Sequence, residues 1–427
     1  MYDVIVIGAR VAGSPTAMRL AHKGYKVLLV DRASFPSDTL STHQVQVKGG
    51  AELKRWGLLD KVLASNCPPA RQVSLNVGSL TIRGRIPPLN DVDAVISPRR
   101  IILDKILVEA AVESGAELRQ DLLVEDLILE DGRVSGIRAR VKSSTAGSGT
   151  PVVEKARLVV GADGKRSLVA RKVRASEYHI KPVLTCAYYT YWEGLGLEGG
   201  ETYSLPRGAV GVWPTNDGLA MIYTAYPISE FQAVRGDIEG CFWRTMESLP
   251  GLLERVRKGH QAERFYGTAD LPAFYRKPYG PGWALAGDAG ITQDPITGQG
   301  IGNAFRDAER LANAIDAGFS GQMPLDAAMS EYEQKRNEET LPMYEFTSQL
   351  GSFLPPSVEQ QVLFNALAKN PEAADMFFGA LSGSVPIQEF FAQSNLFRIM
   401  GFSGMSRVFF KKLLASRRLQ DEQPEVS

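Results

Sequence analysis

The chain has little cysteine, no net charge and no long apolar run, and each shortage argues against a class of protein. Its 427 residues include three widely spaced cysteines, Cys67, Cys186 and Cys241, without a CxxC pair or a histidine cluster. This pattern argues against a disulfide framework, a zinc site, an iron–sulfur centre or any other metal site. Lysine plus arginine equals aspartate plus glutamate, at 48 each. The chain therefore lacks the basic bias expected of a protein that binds nucleic acid.

Targeting and membrane-spanning signals are missing as well. No window approaches about 18 uninterrupted apolar residues, the length that a transmembrane helix needs. The first residues lead directly into an apolar strand, without the basic region of a signal peptide. A hydrophobic fraction of 44% can build a core, and the length predicts about two to three domains. We therefore expect a cytoplasmic protein that keeps its cysteines reduced.

The N-terminal segment has the pattern of one βαβ unit of the dinucleotide-binding type. An apolar β-branched run at residues 4–7 opens into the sequence GARVAG, and a helix is predicted over 14–23. A second apolar run then ends at Asp31, about twenty residues past the first glycine, where this kind of unit carries an acid. The segment therefore predicts a site for a dinucleotide cofactor.

One position of this glycine fingerprint departs from the expected pattern. Gly8 and Gly13 stand at the first and third glycine positions, but Arg10 occupies the middle one. Glycine there normally lets the backbone approach a pyrophosphate closely. Two interpretations remain open: the Arg10 side chain turns outward as a cation near the phosphates, or it contacts the cofactor's ring or an incoming reductant.

Two further glycine turns follow apolar strands later in the chain. The strand at 157–161 leads into the sequence GADGKRS, and the strand at 283–286 leads into GDAG. A loop with the sequence DPITGQG and a strongly amphipathic helix follow the second turn. A strand, a glycine loop and a helix N-terminus together present backbone N–H groups and a positive dipole end to an anion or an electron-rich ring.

Other segments predict a second sheet and a helical C-terminal part. The aromatic runs within 183–226 are typical of antiparallel strands, and residues 117–141 predict a three-stranded meander with a hairpin turn at Asp131-Gly132. Residues 49–63 predict a helix. Prolines punctuate short helices after about residue 342, and residues 407–418 predict a basic amphipathic helix.

The three motifs, GARVAG with Asp31, GADGKRS and GDAG with DPITGQG, resemble in this order the FAD-binding fold of the para-hydroxybenzoate-hydroxylase-like superfamily. That superfamily includes the group A flavoprotein monooxygenases, the geranylgeranyl reductases and the flavin halogenases. The resemblance implies an α/β fold with a Rossmann-like FAD-binding domain built from discontinuous segments, an antiparallel β-sheet substrate domain and a helical C-terminal segment. The expected boundaries are 1–72, 97–175 and 279–340 for the first, 73–96 and 176–278 for the second, and 341–427 for the third.

The resemblance also implies which residues hold the adenosine end of FAD. Gly8 and Gly13 would frame the pyrophosphate, with Arg10 close by. Asp31 would bind the adenosine ribose, and the adjacent Arg32 is expected to contact the cofactor.

Further implied contacts run along the phosphates and the ribityl chain. Arg100 matches the superfamily's R-x-x-x-D helix start and would lie near the phosphates. Asp163 and Gly164 would line a groove shared by FAD and NADH or NADPH, the transient reductant. Asp288, preceded by Gly287, would hydrogen-bond the ribityl chain.

At the flavin end, the implied contacts come from the glycine loop and the helix that follows it. Gly298 and Gly300 would offer backbone N–H groups to the pyrimidine edge, with Pro295 and Ile301 on either side. Reduced flavin carries negative charge at that edge, and a helix N-terminus stabilises such charge. The chemistry therefore agrees with the implied placement.

Several activities are consistent with this resemblance. The first is hydroxylation of an aromatic or polycyclic organic substrate through a flavin C4a-hydroperoxide, with NADH or NADPH as reductant. The second is reduction of isoprenoid alkene bonds, as in geranylgeranyl reductases. Halogenation is disfavoured, because the W-x-W-x-I-P signature is absent and the stretch Val212-Trp213-Pro214 does not match it. A non-enzymatic FAD-binding protein is a fourth possibility.

The substrate side of the site carries fewer signals. His43 lies in a polar loop that borders the flavin in this fold, where it could orient substrate or relay a proton, or else be an exposed loop residue. Tyr188, Tyr189, Tyr191, Trp213 and Tyr223 could line an aromatic pocket, or simply pack in the sheet. The expected partner is a small aromatic, polyketide-like or isoprenoid molecule. The basic helix at 407–418 could touch a membrane surface, and the sequence leaves the oligomeric state open.

Overall fold

The fold was analysed in a computed structural model that describes residues 1–142, 149–402 and 404. Most of the polar loop at 143–150 and all of the predicted basic helix at 407–418 lie outside the described residues. Among those described, no helix is both long and apolar enough to cross a membrane.

The described strands belong to three sheets. In chain order they are β1 (Tyr2–Ile7), β2 (Val27–Val30), β3 (Gln72–Val77), β4 (Leu80–Arg85), β5 (Glu117–Arg119), β6 (Leu122–Glu130), β7 (Arg133–Val141), β8 (Pro151–Gly161), β9 (Glu177–Lys181), β10 (Thr185–Glu193), β11 (Gly200–Leu205), β12 (Gly208–Pro214), β13 (Ala220–Pro227), β14 (His260–Gln261), β15 (Tyr266–Thr268), β16 (Ala273–Arg276), β17 (Tyr279–Gly280), β18 (Trp283–Leu285) and β19 (Ile291–Thr292).

The helices connect and cover these sheets. In chain order they are α1 (Gly13–His22), α2 (Val47–Arg55), α3 (Leu59–Leu63), α4 (Arg100–Glu113), α5 (Leu168–Val173), α6 (Phe231–Gly236), α7 (Ile238–Glu247), α8 (Pro250–Lys258), α9 (Gly300–Phe319), α10 (Leu325–Gly351), α11 (Val358–Leu367), α12 (Pro371–Ser382) and α13 (Ile387–Phe390).

The first sheet has a parallel centre and is buried on both faces. Its strand order is β17-β18-β8-β1-β2-β5, and β1 pairs in parallel with both β2 and β8. Val4 and Val6 of β1 belong to a core cluster on one side, while Ile5 and Ile7 belong to a second cluster on the other. A strand with both faces buried must be apolar throughout, which explains the continuous runs in the sequence. The predicted Rossmann-like α/β fold is confirmed.

The predicted three-stranded meander over 117–141 is wrong in one strand. β5 pairs in parallel with β2 at the edge of the first sheet, and the meander consists of β6, β7 and β8. The reason is that α4 precedes β5, so the chain crosses over the sheet and returns beside β2, as a βαβ connection does. The hairpin turn was correctly predicted: Asp131 and Gly132 have φ values of 51° and 76°, as a tight turn between twisted strands requires.

The second sheet carries the aromatic strands. Its order is β14-β10-β13-β12-β11-β3-β4, and it is antiparallel except where β11 pairs in parallel with β3. Helices α7 and α8 cover one face, where Phe242 and Leu252 pack with Val210 and Ile222 of the sheet. The other face is directed at the C-terminal helices. A small third sheet has the order β19-β16-β9, and its central strand β16 pairs antiparallel with both neighbours. The proposed domain boundaries stay a prediction.

Two predicted helix bounds change for local reasons. The helix expected over 49–63 is split into α2 and α3, because Gly57 adopts φ 72° between them. The segment that opens with Ser97-Pro98 also predicts a long amphipathic helix. The helix begins only at Arg100, since Arg99 at its N-cap is still in an extended conformation.

Three glycine motifs that lie far apart in the sequence meet at the ends of the parallel strands. A Cβ atom on Gly8, which has φ 100°, would stand 2.4 Å from the Ala162 carbonyl oxygen. A Cβ atom on Gly13 would stand 1.7 Å from the Gly8 carbonyl oxygen, and one on Gly287 would stand 2.8 Å from Ala12 Cβ. The glycines therefore let the three turns pack backbone against backbone.

We expect Gly13→Ala to destabilise the protein by about 3 kcal/mol, because its methyl group would overlap the Gly8 carbonyl and force the backbone to move. Urea unfolding measures the change. Gly251→Ala is the control, since Gly251 lies exposed in the first turn of α8 with open space around it. The control should gain about 0.5–1 kcal/mol from helix propensity. Equal stability of Gly13→Ala and the wild type would refute the close approach.

Candidate active site

The side chain of Arg10 is held by an acid from another helix. Its Nη1 donates to Asp104 Oδ2 at 2.6 Å, and its Nη2 donates to Ser37 Oγ at 2.9 Å. Asp104 is fully buried on α4 and also accepts hydrogen bonds from Nε and Nη2 of Arg100, both at 3.0 Å. One carboxylate thus joins two arginines of the site. Neither interpretation of Arg10 from the sequence included this partner.

Asp31 closes the first glycine loop onto the end of β2. Its Oδ2 accepts the Ala9 N–H at 2.7 Å and its Oδ1 accepts the Ala33 N–H at 2.9 Å. The carboxylate is buried, and each oxygen retains a further acceptor position. Binding of a ribose hydroxyl by Asp31 remains a prediction. The adjacent Arg32 is exposed.

The second motif supplies a buried carboxylate with one unused oxygen. Asp163 Oδ2 accepts the Leu168 N–H at 2.6 Å, whereas its Oδ1 is buried without a partner among the described residues. Burial raises the pKa of this carboxyl group. Gly164 follows at φ 79° with open space beside it. This turn therefore has room and an unused acceptor on the side of the first glycine loop.

The third motif places Asp288 within the influence of the charges of Arg100 and Lys165. The residue lies in a 3₁₀ turn, Gly287–Ala289, and its side chain is accessible to solvent. The protein that surrounds it nevertheless raises the pKa of its carboxyl group, while the charges of Arg100 and Lys165 act in the opposite direction. We call the region between Arg100, the 8–13 loop, the 163–165 turn and Asp288, where the resemblance places FAD, the FAD cleft.

The flavin-end loop corrects one predicted role. Gly298 has φ 63°, and its N–H donates to the Pro295 carbonyl at 2.9 Å within a 3₁₀ turn, so this N–H is already used. Helix α9 begins at Gly300 without a side-chain cap from Gln299. The first N–H groups of a helix have no partner within it. The available donors are therefore those of the first turn of α9; the side chain of Ile301 is buried in the core.

His43 is fully buried, so the interpretation as an exposed loop residue is wrong. Its backbone has φ 60°, a conformation that costs a residue with a side chain about 1–3 kcal/mol. Its Nε2 lies 2.5 Å from Tyr191 Oη, and its Nδ1 has no partner among the described residues. Burial lowers the pKa of the imidazole to about 3, with smaller contributions from Arg100 and Arg99. His43 is therefore neutral at physiological pH.

Two buried arginines that were not predicted from the sequence hold the third motif. Arg276 Nη1 donates to the Ala289 carbonyl at 3.1 Å, and Arg336 Nη1 donates to the Gly290 carbonyl at 3.4 Å. Arg336 is fully buried, and its Nη2 also donates to the Arg276 carbonyl at 3.0 Å. Together they fix the carbonyl groups of the turn that carries Asp288. Arg336 lies in a highly charged helical stretch, where nothing distinguishes it from its exposed neighbours.

An apolar cavity of about 490 Å³ lies beside the flavin-end loop. Its walls are the second sheet, the 295–297 turn and the C-terminal helices, and its volume is in the range of small-molecule sites. Of the aromatic candidates, Trp213 and Tyr223 line it, whereas Tyr188 packs on the opposite face of the sheet. Further apolar residues on its walls are Leu75, Met221, Ile296, Phe346, Leu350, Phe353, Leu363, Phe364, Phe377, Phe378, Leu381, Ile387 and Phe391.

The residues of the cleft fit FAD. Helix α9 begins without a side-chain cap and so leaves first-turn N–H groups for anionic or electron-rich atoms. In α1, which also lacks a side-chain cap, the Ser14 N–H donates to the Arg10 carbonyl and Pro15 has no N–H, so Gly13 is the donor left at its start. Asp163 Oδ1 and both amide atoms of Gln293 are buried polar atoms without a partner in the described part of the chain. Buried polar groups normally have partners, so these atoms point to a missing ligand. Gln293 was not predicted from the sequence.

The comparisons with known proteins show an FAD-binding fold. A family model described as an FAD binding domain matches residues 1–187. Digeranylgeranylglycerophospholipid reductase from Methanosarcina acetivorans is 30% identical over 352 residues, which cover 80% of this chain and 81% of that protein. Tryptophan 2-halogenase from Chondromyces crocatus is 25% identical, over 78% of this chain and 64% of that protein.

Solved structures show the same fold. A myxobacterial chondrochloren halogenase superposes with a TM-score of 0.74 at 20% identity, covering 96% of this chain and 97% of its own. A probable FAD-dependent monooxygenase from Pseudomonas aeruginosa superposes with a TM-score of 0.67 at 18% identity, covering 90% and 100%. At these identities the likeness shows the fold alone.

The parallel sheet with three glycine turns, the cleft and the adjoining cavity define a flavin-dependent oxidoreductase. The chain belongs to the FAD-dependent superfamily of group A flavoprotein monooxygenases and geranylgeranyl reductases.

Arg10→Met should destabilise the protein by about 2 kcal/mol, because Asp104 is fully buried and would lose a charge-assisted hydrogen bond. The free energy of unfolding in urea is the measurement. Arg71→Met is the control, since the Arg71–Asp93 pair has both side chains about half exposed and should contribute less than about 1 kcal/mol. Equal effects of the two substitutions would show that the Arg10–Asp104 ion pair contributes no more to stability than an exposed pair does.

Proposed function

We propose that this enzyme reduces carbon–carbon double bonds of a long, apolar, isoprenoid-like molecule held in the apolar cavity. The observation that carries the proposal is the position of the cavity: Pro295, Ile296 and Thr297, at the flavin end of the site, form part of its wall. A substrate in the cavity would lie beside the reactive part of the cofactor. The relatives at 25–31% identity that are named as digeranylgeranylglycerophospholipid reductases support this choice of reaction.

The lining of the cavity supports a substrate with few polar groups. Aliphatic and aromatic side chains from three parts of the chain, such as Met221, Leu363 and Phe377, form most of its walls. Burying a chain of methyl and methylene groups there gains about 0.8 kcal/mol for each group removed from water. The same walls keep water away from the place where the cofactor reacts.

Reduction of each double bond adds a hydride and a proton: bound FAD, once reduced, would supply the hydride, and the medium would supply the proton. The chain's own residues bind and orient the partners. Asp288 and the first turn of α9 would hold the ribityl chain and the pyrimidine edge, and the cavity would place the double bond against the ring. The sequence has a single glycine fingerprint. NADH or NADPH would therefore have no domain of its own and would have to reach the flavin within the FAD-binding domain, whereas an external donor would need no such site.

A second candidate is hydroxylation of an aromatic or polycyclic substrate with NADH or NADPH as reductant. The flat aromatic side chains on the cavity wall favour it, because Trp213, Phe346 and Phe391 offer ring faces for stacking. Halogenation has less support, since the tryptophan signature is absent from the sequence and the halogenase structures show the fold alone.

Tyr223 offers the cavity a polar contact. Its side chain lines the cavity, and its buried hydroxyl has no partner among the described residues. Burial raises the pKa of this phenol well above its usual range, and the nearby Asp294 adds to the effect. A phenol that keeps its proton can donate a hydrogen bond to an oxygen atom of the substrate. We propose that role for Tyr223.

The reaction class can be tested with holoprotein whose flavin is reduced without oxygen. We expect a lipid with geranylgeranyl chains to gain two hydrogen atoms for each double bond reduced, as measured by mass spectrometry. The control uses the same mixture with the protein omitted. If the lipid stays unchanged while a phenol or polyketide gains an oxygen atom after air is admitted with NADH or NADPH, the hydroxylase candidate replaces the proposal.

Tyr223→Phe should not lower the stability of the protein and should raise it by up to about 1 kcal/mol, because it removes a buried hydroxyl that has no partner. Tyr226→Phe is the matched control. The Tyr226 hydroxyl forms a hydrogen bond with Thr245 Oγ1 at 3.0 Å on the other face of the sheet, so removing this bond should lower the free energy of unfolding by about 1 kcal/mol. Thermal and urea unfolding measure both variants. A Tyr223→Phe variant as unstable as Tyr226→Phe would contradict the finding that the Tyr223 hydroxyl has no hydrogen-bond partner.

A further inference from the structure

The apolar cavity adjoins a larger groove that reaches the protein surface. The groove has a volume of about 1900 Å³ and is lined by strands β3, β4 and β11, by α8 and by the segment that follows α10. Its rim is open to solvent at Leu354, which is 77% exposed. Residues from β3, β11, α10 and α11 line both the cavity and the groove. The two spaces therefore share one wall, and a molecule that crosses this wall passes from solvent into the cavity.

Phe353 stands in the shared wall and has a strained backbone. It follows Ser352, the C-cap of α10, and its φ is 50°. Glycine is the usual residue just after a helix when φ is positive, because a side chain strains this conformation. The Phe353 N–H donates to the Leu350 carbonyl at 3.1 Å and so closes the end of the helix. The turn leaves Phe353 half-buried, while the next residue, Leu354, is exposed.

The ring of Phe353 closes the shared wall against the second sheet. It packs against the cluster of buried residues that contains Met221 and Tyr223, and both of these line the apolar cavity. Of residues 351–357, all of which the structure describes, Phe353 is the one that lines both spaces. Leu354 and the residues after it line the groove alone. The Phe353 ring is therefore the part of this segment that separates the cavity from the groove.

The backbone strain lowers the cost of moving this ring. Contacts with the sheet stabilise the inward position of the ring, whereas the strain at φ 50° opposes it. Rotation of the backbone out of the left-handed region withdraws the ring and relieves the strain in one motion. Leu381, another wall residue of the cavity, lies within the regular helix α12 and has no such compensation. Phe353 is therefore suited to swing aside.

We propose that Phe353 is a gate that determines which molecules enter the apolar cavity: its ring closes the cavity toward the groove, and the substrate enters by displacing it. Displacement of one ring opens a passage of about the cross-section of that ring. A flexible chain of methylene or methyl-branched units can thread through such a passage one unit after another, whereas a fused polycyclic molecule needs a wider opening. The inference rests on the proposed function in taking the cavity as the substrate's site.

Stopped-flow fluorescence tests the gate when the FAD-loaded protein is mixed with cis-parinaric acid, a linear polyene fatty acid that becomes fluorescent in an apolar site. Phe353→Ala and Phe353→Gly both remove the ring, and the glycine variant also removes the strain. We expect the association rate constant to rise about tenfold or more in both variants, since binding that waits for a conformational change is slow. The dissociation rate constant should rise with it, so that Kd changes by less than about threefold.

Leu381→Ala is the matched control, since Leu381 lines the cavity but not the groove. It should speed dissociation through lost contacts and leave the association rate constant unchanged. Circular dichroism establishes which variants are folded. The proposal is overturned if the wild type does not bind the probe, if a folded Phe353 variant keeps the wild-type association rate constant, or if Leu381→Ala raises it equally. The expected kinetics without reduction of any isoprenoid lipid would support the gate and refute the proposed function alone.

Discussion

The direct packing of three backbone turns is the constraint on which the site depends. The Gly8 turn lies against the Ala162 carbonyl, helix α1 starts against the Gly8 carbonyl, and the Gly287 turn lies against Ala12. A Cβ atom on any of these glycines would overlap its neighbour, so the segments, which come from the first, second and third parts of the chain, can approach this closely only with glycine there. Because the parallel strands β1, β8 and β18 are adjacent, their carboxyl ends deliver the three turns to one edge of the sheet. The cleft follows from this geometry.

Buried charges then hold the parts that the glycines bring together. Asp104 joins Arg10 of the first loop to Arg100 of α4, and Arg276 and Arg336 hold the carbonyls of the turn that carries Asp288. A buried charge is tolerated only when its hydrogen-bonding groups are satisfied, so each of these contacts restricts the positions that the loops can take. Asp163 of the second motif and Gln293, which follows the third, carry buried polar atoms that have no partner in the described part of the chain.

The sequence predicts what depends on local pattern and misses what depends on distant partners. Apolar runs and glycine spacing predict the parallel strands and the three turns, because buried strands and tight turns restrict residue type locally. The partner of Arg10 is 94 positions away, the hydrogen bond between His43 and Tyr191 spans 148 positions, and the pairing of β5 depends on the path of α4. None of these three has a signal within a short window. The N–H of Gly298 was assigned to the flavin, but the local turn that begins at Pro295 uses it.

Equilibrium binding of FAD, followed by flavin fluorescence and absorption, tests the central claim that the three turns form one FAD site. The purified protein should be yellow and bind one FAD per chain. Asp288→Asn should bind more weakly, because an amide oxygen accepts hydrogen bonds from the ribityl hydroxyls less strongly than a carboxylate does. Asp131→Asn, in a remote exposed hairpin turn, should bind like the wild type. A wild-type protein that does not take up FAD, or an Asp288→Asn variant with undiminished affinity, would contradict the account.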